Sequence, residues 1–330
     1  MDISAIFDNT MRGLVGEQFV YFALAAIGLN IHFGYTGLLN FGQAVFMAAG
    51  AYGLSMMVVT WDLNFWVGVF FGIVVFPFIL AVLLGAPTLR LRADYLAIVT
   101  IAAAEIFRIV VRSPSLDRWT GSSDGISGFA RSFYDLSPFD PGSRYFFDLF
   151  IGNQMWVVLI GWTVLAAAVF ISWLLVRSPW GRVLKAIRED EDAARSLGKN
   201  AYWYKMQALY LGGVFGALGG MLRAIGTQSA QPDNFITDVT FFVWVALILG
   251  GAGKIMGPVI GAALLYAILN FTDIVLRQGV ESSYIPESIM SGTQVGQVRF
   301  MLVGLGLVLL ATFRPQGILG KKDEMALDDR

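Results

Sequence analysis

The chain has 330 residues, of which 56% are hydrophobic and only 14% are charged. Soluble domains are roughly 45 to 50% apolar and about 25% charged, so the composition indicates a polytopic membrane protein. The sequence contains no cysteine and one histidine, which excludes disulfides, thiolate chemistry and a histidine-rich metal site. The net charge of -1 says little, because orientation in a membrane depends on where the 23 lysines and arginines lie.

Apolar segments long enough to cross a bilayer recur along the whole chain. A spanning helix needs about 20 mainly apolar residues, and this criterion predicts an all-α membrane bundle of about nine spans in one domain, 1–330. Two of the segments, 37–59 and 236–252, are rich in glycine and polar residues, so either one is a candidate for a broken or re-entrant helix. The predicted spans are 15–33, 37–59, 63–85, 94–112, 153–176, 206–226, 236–252, 256–276 and 298–313.

The distribution of cations predicts the orientation. If the segment 177–205 is cytoplasmic, the same side receives 14 of the 23 lysines and arginines. Cytoplasmic loops carry an excess of these residues, so we expect a cytoplasmic C-terminal tail, 314–330, and an outside N-terminus. The outer loop 113–152 is dense in Gly, Ser, Asp and Pro, which is typical of either an ordered turn region that meets a partner or a solvated connector.

The segment 177–205 packs 11 charges between two apolar runs. Ser178 before Pro179 predicts a helix start, and Gly198 predicts a helix end, so the segment is expected to form one helix or two short ones. A narrow apolar stripe recurs at helical spacing with Glu191 inside it, and we interpret it as a docking surface for a partner. The stripe consists of Leu184, Ile187, Ala194 and Leu197.

Few polar residues lie inside the predicted spans. Glu105 is either a structural ion pair with Arg108, one helical turn on, or a member of the solute path, since a buried carboxylate is costly in a membrane. Asn40 and Gln43 are also one turn apart among glycines, and they either face a solute or form hydrogen bonds between helices. His32, near a predicted span end, is expected to lie at headgroup level.

Two glycine-rich stretches support packing rather than catalysis. GGAGK at 250–254 lacks the glycine five positions earlier and the following Ser or Thr of a phosphate loop, so ATP would have to bind to another chain. No catalytic constellation is present, and we expect no enzyme activity and no metal site in this chain. Gly212, Gly216 and Gly220 have the spacing of a close helix contact, with a neighbour in this chain or in a second subunit.

Several blocks in a fixed order resemble the LivM-type permease subunits of ATP-binding-cassette importers for branched-chain amino acids. The resemblance covers nearly the whole chain. The blocks are GYTGLLNFGQAVFMAAGAY at 34–52, LRLRADYLAIVTIAAAEIFR at 89–108, GSSDGISG at 121–128, GRVLKAIREDEDAARSLGKNAYWYK at 181–205, GGAGKIMGPVIGAALL at 250–265 and FRPQGILG at 313–320.

The resemblance implies that 177–205 carries a coupling helix, which docks in a groove of a cytoplasmic ATPase. Importer permeases share a loop pattern of Glu-Ala-Ala, three residues and Gly, which this chain matches with Asp in place of Glu. Replacing Ala194 with Arg, or deleting 190–197, is then expected to abolish uptake. The coupling residues expected on this basis are Arg188, Glu191, Asp192, Ala193, Ala194, Leu197 and Gly198.

The resemblance also implies partners and a mechanism. The chain would pair with a second, LivH-type permease, two ATPases that hold ATP and Mg, and an external solute-binding protein, in the plasma (inner) membrane of a bacterium. It implies no cofactor in this chain and no nucleic acid partner, but contact with lipid. Alternating access would pass a zwitterion with an apolar tail, for which Asn40, Gln43, Thr100 and Glu105 are the candidate path residues.

Three other functions stay open at this point. Permeases for urea or short amides are similar in sequence, so the solute is not decided by the resemblance. A stand-alone secondary transporter would need its own coupling-ion site, yet acids inside the spans are nearly limited to Glu105. A structural or assembly protein would fit the glycine pattern but leaves the charged segment 177–205 without a role.

Overall fold

The computed structural model describes residues 3–89, 93–146, 149–281, 294–313 and 316–320. In these ranges the chain is mostly helical. Its helices are α1 Ile3–Val15, α2 Glu17–Leu29, α3 Gln43–Ser55, α4 Phe65–Phe70, α5 Phe76–Thr88, α6 Ala93–Arg112, α7 Asp117–Thr120, α8 Arg131–Tyr134, α9 Gly152–Arg177, α10 Pro179–Glu189, α11 Glu191–Ser196, α12 Ala201–Thr227, α13 Thr237–Gly250, α14 Gly257–Glu281 and α15 Val295–Phe313.

The predicted all-α polytopic bundle is confirmed, whereas the count of about nine spans is not. In the described ranges, seven helical segments are long and apolar enough to cross a membrane. The two other predicted spans coincide with α6, which carries Glu105, Arg108 and Arg112, and with α15. The seven are Asp8–Tyr35, Gln43–Thr60, Phe65–Thr88, Gly152–Arg177, Ala201–Thr227, Pro232–Gly250 and Gly257–Val280.

The core of the bundle is α12, which packs against α2 and α3. Glycines make this approach possible, since a Cβ at Gly220 would overlap the carbonyl oxygen of Met47. A Cβ at Gly212 would likewise overlap the imidazole of His32, and one at Gly216 would lie 2.5 Å from Gln43 Nε2. The neighbour of the glycine stripe therefore lies in this chain, as close packing of small residues in membrane helices allows.

The predicted break in 37–59 is present. Residues 37–42 are not helical, and α3 begins only at Gln43. The 236–252 segment is different, because α13 is continuous over 14 residues and follows a short 3-10 turn, Pro232–Phe235. At 1.5 Å per residue α13 is about 21 Å long, shorter than a hydrocarbon core of about 30 Å.

The two ends of the bundle differ in their charge. At one end the α10–α11 segment, the turn at 251–256 and residues 316–320 lie close together, with Ile318 N donating to Leu249 O over 3.0 Å. We call this end the basic face, because the cation-rich segment 177–205 lies there. At the opposite end, the connection between α6 and α9 is ordered by two short antiparallel pairs. They are β1 Ile126–Ser127 with β4 Ser229–Ala230, and β2 Arg144–Tyr145 with β3 Phe150–Ile151.

Candidate functional site

A non-helical segment, 37–42, interrupts the helical bundle between α2 and α3, and we call it the extended segment because it contains no helical turn. Burial alternates along it, since Leu38, Asn40 and Gly42 are buried whereas Leu39 and Phe41 are partly exposed. One edge of the segment therefore belongs to the core, and the other belongs to a surface beside α6 and α13. The Phe41 ring stacks on the Trp244 ring of α13, with the centroids 4.8 Å apart.

Side chains from two other helices satisfy the backbone of this segment. Thr100 Oγ1 of α6 accepts from Phe41 N over 3.0 Å, and Thr240 Oγ1 of α13 accepts from Ala44 N over 2.9 Å. Trp244 Nε1 donates to the carbonyl oxygen of Asn40 over 3.1 Å. Non-helical backbone at membrane depth requires such partners, so α6 and α13 hold the segment in place.

Asn40 is the centre of a buried polar network. Its Oδ1 accepts from Gly42 N over 2.8 Å, and its Nδ2 donates to His32 Nδ1 over 3.0 Å. His32 Nε2 lies 3.0 Å from Leu209 O, and because a carbonyl only accepts, Nε2 carries the proton and Nδ1 is the acceptor. His32 is fully buried inside the protein, so it presents no polar tip to lipid headgroups, and its depth in the membrane stays a prediction.

Gln43 closes the network against α12. Its Nε2 donates to Ala25 O over 3.1 Å and to Gly212 O over 3.3 Å, and its side chain is fully buried. The polar groups of Asn40, Gln43 and Thr100 are thus engaged in hydrogen bonds between elements of this chain, which is one of the two roles that the sequence pattern allows for Asn40 and Gln43. Their membership of the solute path stays a prediction.

Glu105 and Arg108 form the ion pair that their spacing predicts. The carboxylate lies 2.6 Å from Arg108 Nη2, and the Glu105 side chain is 40% exposed on the open side of α6. Arg108 also contacts Asp233 at 3.0 Å, and Arg112 contacts the same carboxylate at 3.3 Å. These pairs join α6 to the turn that precedes α13.

On the basic face, 177–205 contains two short helices, α10 and α11 (Pro179–Ser196), which we call the coupling hairpin after its predicted role. Ser178 Oγ accepts from Gly181 N at the start of α10, as predicted. Asp190 adopts an extended conformation between the helices, and its carboxylate accepts from Ala193 N over 2.9 Å. Gly198 has φ of +75°, which confirms the predicted helix end at that glycine.

Most of the apolar stripe of the coupling hairpin faces its own chain. Leu184, Ile187 and Ala194 are only 1 to 3% exposed, and Ala194 packs beside Ala201. The prediction that these three residues face a partner is therefore wrong, because an amphipathic pattern does not tell which protein covers the apolar side. Leu197 alone in the stripe is open, at 80% exposure.

The other predicted coupling residues divide into two groups. Asp192, Ala193 and Gly198 are exposed. Glu191 pairs with Arg195 at 2.6 Å and with Lys205, and the guanidinium of Arg188 donates to Gly34 O at the end of the first span. Arg188 therefore ties α10 to the chain just before the extended segment.

Comparison with known proteins decides the family. The profile described as "Branched-chain amino acid transport system / permease component" matches residues 14–311. The chain belongs to this family. It is 30% identical over 327 residues to the high-affinity branched-chain amino acid transport system permease protein LivM of Salmonella typhimurium, covering 92% of this chain and 69% of that protein.

More distant permeases are also similar. The probable LivM permease of Methanocaldococcus jannaschii is 25% identical over 345 residues, which cover 92% of each chain. Among solved structures, PsaBC from Streptococcus pneumoniae in complex with Fab matches 95% of this chain and 96% of that chain, with a TM-score of 0.44 and 16% identity. This structural likeness is too remote to support an argument.

Three residues that hold the structure together around the extended segment and the end of the first span were not identified from the sequence. Thr240 and Trp244 hold the extended segment, and the polar content of 236–252 was their only signal. Asn30 lies at the end of the first span, where its side chain accepts from Gly253 N over 2.8 Å and donates to Lys254 O over 2.9 Å. In the described ranges, no three His, Cys, Asp or Glu residues lie close enough together to hold a metal ion.

Proposed function

We propose that this chain is the permease subunit of an ATP-driven importer and forms half of the translocation pathway for branched-chain amino acids. Membership of the permease family and the LivM relatives, which match over 92% of the chain, support the class of protein and the solute. The observation that carries the mechanism is the extended segment 37–42, because transporters place irregular backbone only where it is buried in protein or lines a cavity. Alternating access would move this segment and its neighbours.

The solute path runs, in this proposal, along the exposed edge of the extended segment and the open side of α6. Leu39 and Phe41 offer partly exposed apolar surface to a branched side chain, and Glu105 is partly exposed on α6. Asn40, Gln43 and Thr100 would position the segment and not contact the solute, since their polar groups form hydrogen bonds within the protein. A zwitterion with an apolar tail matches a mostly apolar surface with few polar groups.

In this proposal, the coupling hairpin receives the conformational change that ATP drives in the ATPase subunit. Its exposed residues Asp192, Ala193, Leu197 and Gly198 would contact an ATPase subunit that binds ATP and Mg. Arg188, Glu191 and Ala194 would support that surface from within the hairpin and from the first span. The cation excess of the basic face supports a cytoplasmic location for this end and for the tail 314–330.

The complete transporter would contain this chain, a LivH-type permease, two ATPases and an external solute-binding protein. A path on the surface of one bundle needs a second bundle to close it, which supports the pairing of two permeases. The ordered connection between α6 and α9, at the end opposite the basic face, would meet the binding protein. We include α6 and α15 as spans, which gives nine and places the two termini on opposite sides of an inner membrane.

The decisive experiment is purification of the tagged chain from its native membrane, with identification of the proteins that accompany it. The complex is then reconstituted in liposomes with its binding protein, and uptake of radiolabelled leucine is measured with and without ATP. Recovery of an ATPase and a second permease, with ATP-dependent leucine uptake, supports the proposal. Uptake of urea but not of leucine would refute the proposal that the solute is a branched-chain amino acid. Leucine uptake in the absence of an ATPase would refute the proposal that ATP drives transport.

A further inference from the structure

A cavity of about 570 Å³ opens on the basic face beside the end of α9. Among the described residues that line it, half are cations and none is acidic. Such a one-signed lining attracts anions, because the summed field of several cations near a low-dielectric wall is stronger than that of one. The lining residues are Tyr35, Val176, Arg177, Arg182, Lys185, Gly253, Lys254 and Ile255.

Two of the cations lie over aromatic rings. The guanidinium of Arg177 lies 4.4 Å from the centre of the Trp173 ring, and the Lys185 ammonium lies 5.7 Å from the centre of the Tyr35 ring. In the part of the chain that the structure describes, no carboxylate lies within 4.0 Å of the charged groups of Arg177, Arg182 or Lys185. Their charge is therefore available to a bound anion.

The cavity lies at the end of an apolar helix that is long enough to cross a membrane, and the ends of such helices are where lipid headgroups meet a membrane protein. It is at the end of α9, whose last turns expose Phe170, Ile171 and Leu174, an apolar surface that suits acyl chains. Trp173 lies in the same turns, and tryptophan is enriched at the interface between hydrocarbon and water. An occupant of the cavity can therefore place its charge among the cations and its hydrocarbon along α9.

We propose that this cavity binds the phosphodiester headgroup of an anionic phospholipid. Basic pockets between membrane helices are suited to such headgroups, and arginine and lysine contacts to phosphate are charge-assisted. The inference is independent of the proposed transport function, because it concerns a lipid-facing cavity at α9 and not the extended segment. A soluble anion lacks the match to the apolar surface of α9.

The test measures lipid binding to the full-length protein, purified in detergent, by native mass spectrometry. Phosphatidylglycerol and phosphatidylcholine with the same acyl chains are titrated in parallel against the wild type, against R182Q/K185Q and against R118Q/K199Q. The control variant removes two exposed cations that do not line the cavity. Each cation near an anionic membrane surface contributes about fivefold in affinity, so R182Q/K185Q is expected to bind phosphatidylglycerol about 30-fold more weakly.

Phosphatidylcholine binding is expected to be the same in all three proteins, and the control is expected to bind phosphatidylglycerol like the wild type. Thermal melting of each variant shows whether it is folded, and the single variant R182Q replaces the double one if that unfolds. Equal weakening in the control would overturn the proposal, as would displacement of the lipid by millimolar inorganic phosphate. Normal lipid binding with loss of a co-purifying ATPase would assign the cations to a protein partner instead.

Discussion

His32 Nδ1 accepts a hydrogen bond from the side-chain amide of Asn40 over 3.0 Å, in a region where both side chains are fully buried. The pair links α12, through Leu209 O, to the extended segment, through Gly42 N. A single asparagine thus joins the core to the part of the chain that we place at the solute path.

Asn40→Ala is expected to destabilise the protein by about 1 to 3 kcal/mol. The change leaves Gly42 N and His32 Nδ1 without their partner in the core, and unpaired buried polar groups cost about this much. The loss of stability is measured as a fall in the melting temperature of the purified variant relative to the wild type. Asn153→Ala at the partly exposed start of α9 is the control. Equal melting of both variants would contradict a structural role for Asn40.

Gly220→Ala is expected to destabilise the bundle by about 1 to 3 kcal/mol, because the new methyl group would overlap Met47 O in the contact between α12 and α3. The matched control is Gly304→Ala in α15, where no atom lies within 4 Å of the added carbon. The control is expected to melt at or slightly above the wild-type temperature, since alanine favours a helix by about 1 kcal/mol over glycine. The same loss in both variants would refute the close contact.

Substitutions at two adjacent alanines of the coupling hairpin distinguish an effect on ATPase docking from an effect on folding. Ala193→Arg changes an exposed residue, so we expect normal melting but loss of ATPase co-purification and of ATP-dependent uptake. Ala194 is 3% exposed, so Ala194→Arg is expected to lower the melting temperature, because an arginine has no room beside Ala201. If the Ala193→Arg protein still co-purifies with the ATPase, this part of α11 is not the coupling surface.

Arg188→Gln is expected to uncouple ATP hydrolysis from uptake. The guanidinium donates to Gly34 O, and the aliphatic base of the side chain lies beside Gly37, so loss of the guanidinium frees α10 from the chain that leads into the extended segment. ATPase activity of the reconstituted complex is expected to persist while leucine uptake falls. Lys199→Gln, an exposed change beyond α11, is the control. Parallel loss of hydrolysis and uptake would indicate a docking role for Arg188 instead.

Local signals in the sequence predicted local structure well. Ser178, Pro179 and Gly198 mark the limits of the α10–α11 region because capping depends on neighbouring backbone groups, and the glycine-rich segment 37–59 is broken as expected. The spacing of Glu105 and Arg108 also predicted their ion pair, because both residues lie on one helix.

Contacts between segments that are distant in the chain could not be predicted from local sequence patterns. His32 is one residue in an apolar run, and its partner Leu209 lies 177 positions away, so no local pattern reveals that it is buried. Thr240 was missed for the same reason, since it binds Ala44 across 196 positions. Ala194 has the spacing of a docking residue, but only the folded chain shows that Ala201 lies on that side.

The glycine contacts of α12 have a mechanical consequence. Backbone meets backbone where Gly220 approaches Met47 and Gly50 approaches Ala217, so no flexible side chain is available to absorb sliding or rotation between α3 and α12. Gly219 approaches Tyr21 of α2 in the same manner. We therefore expect these three helices to move as one rigid block, so a conformational cycle would displace the elements packed around the block rather than slide α2, α3 and α12 past one another.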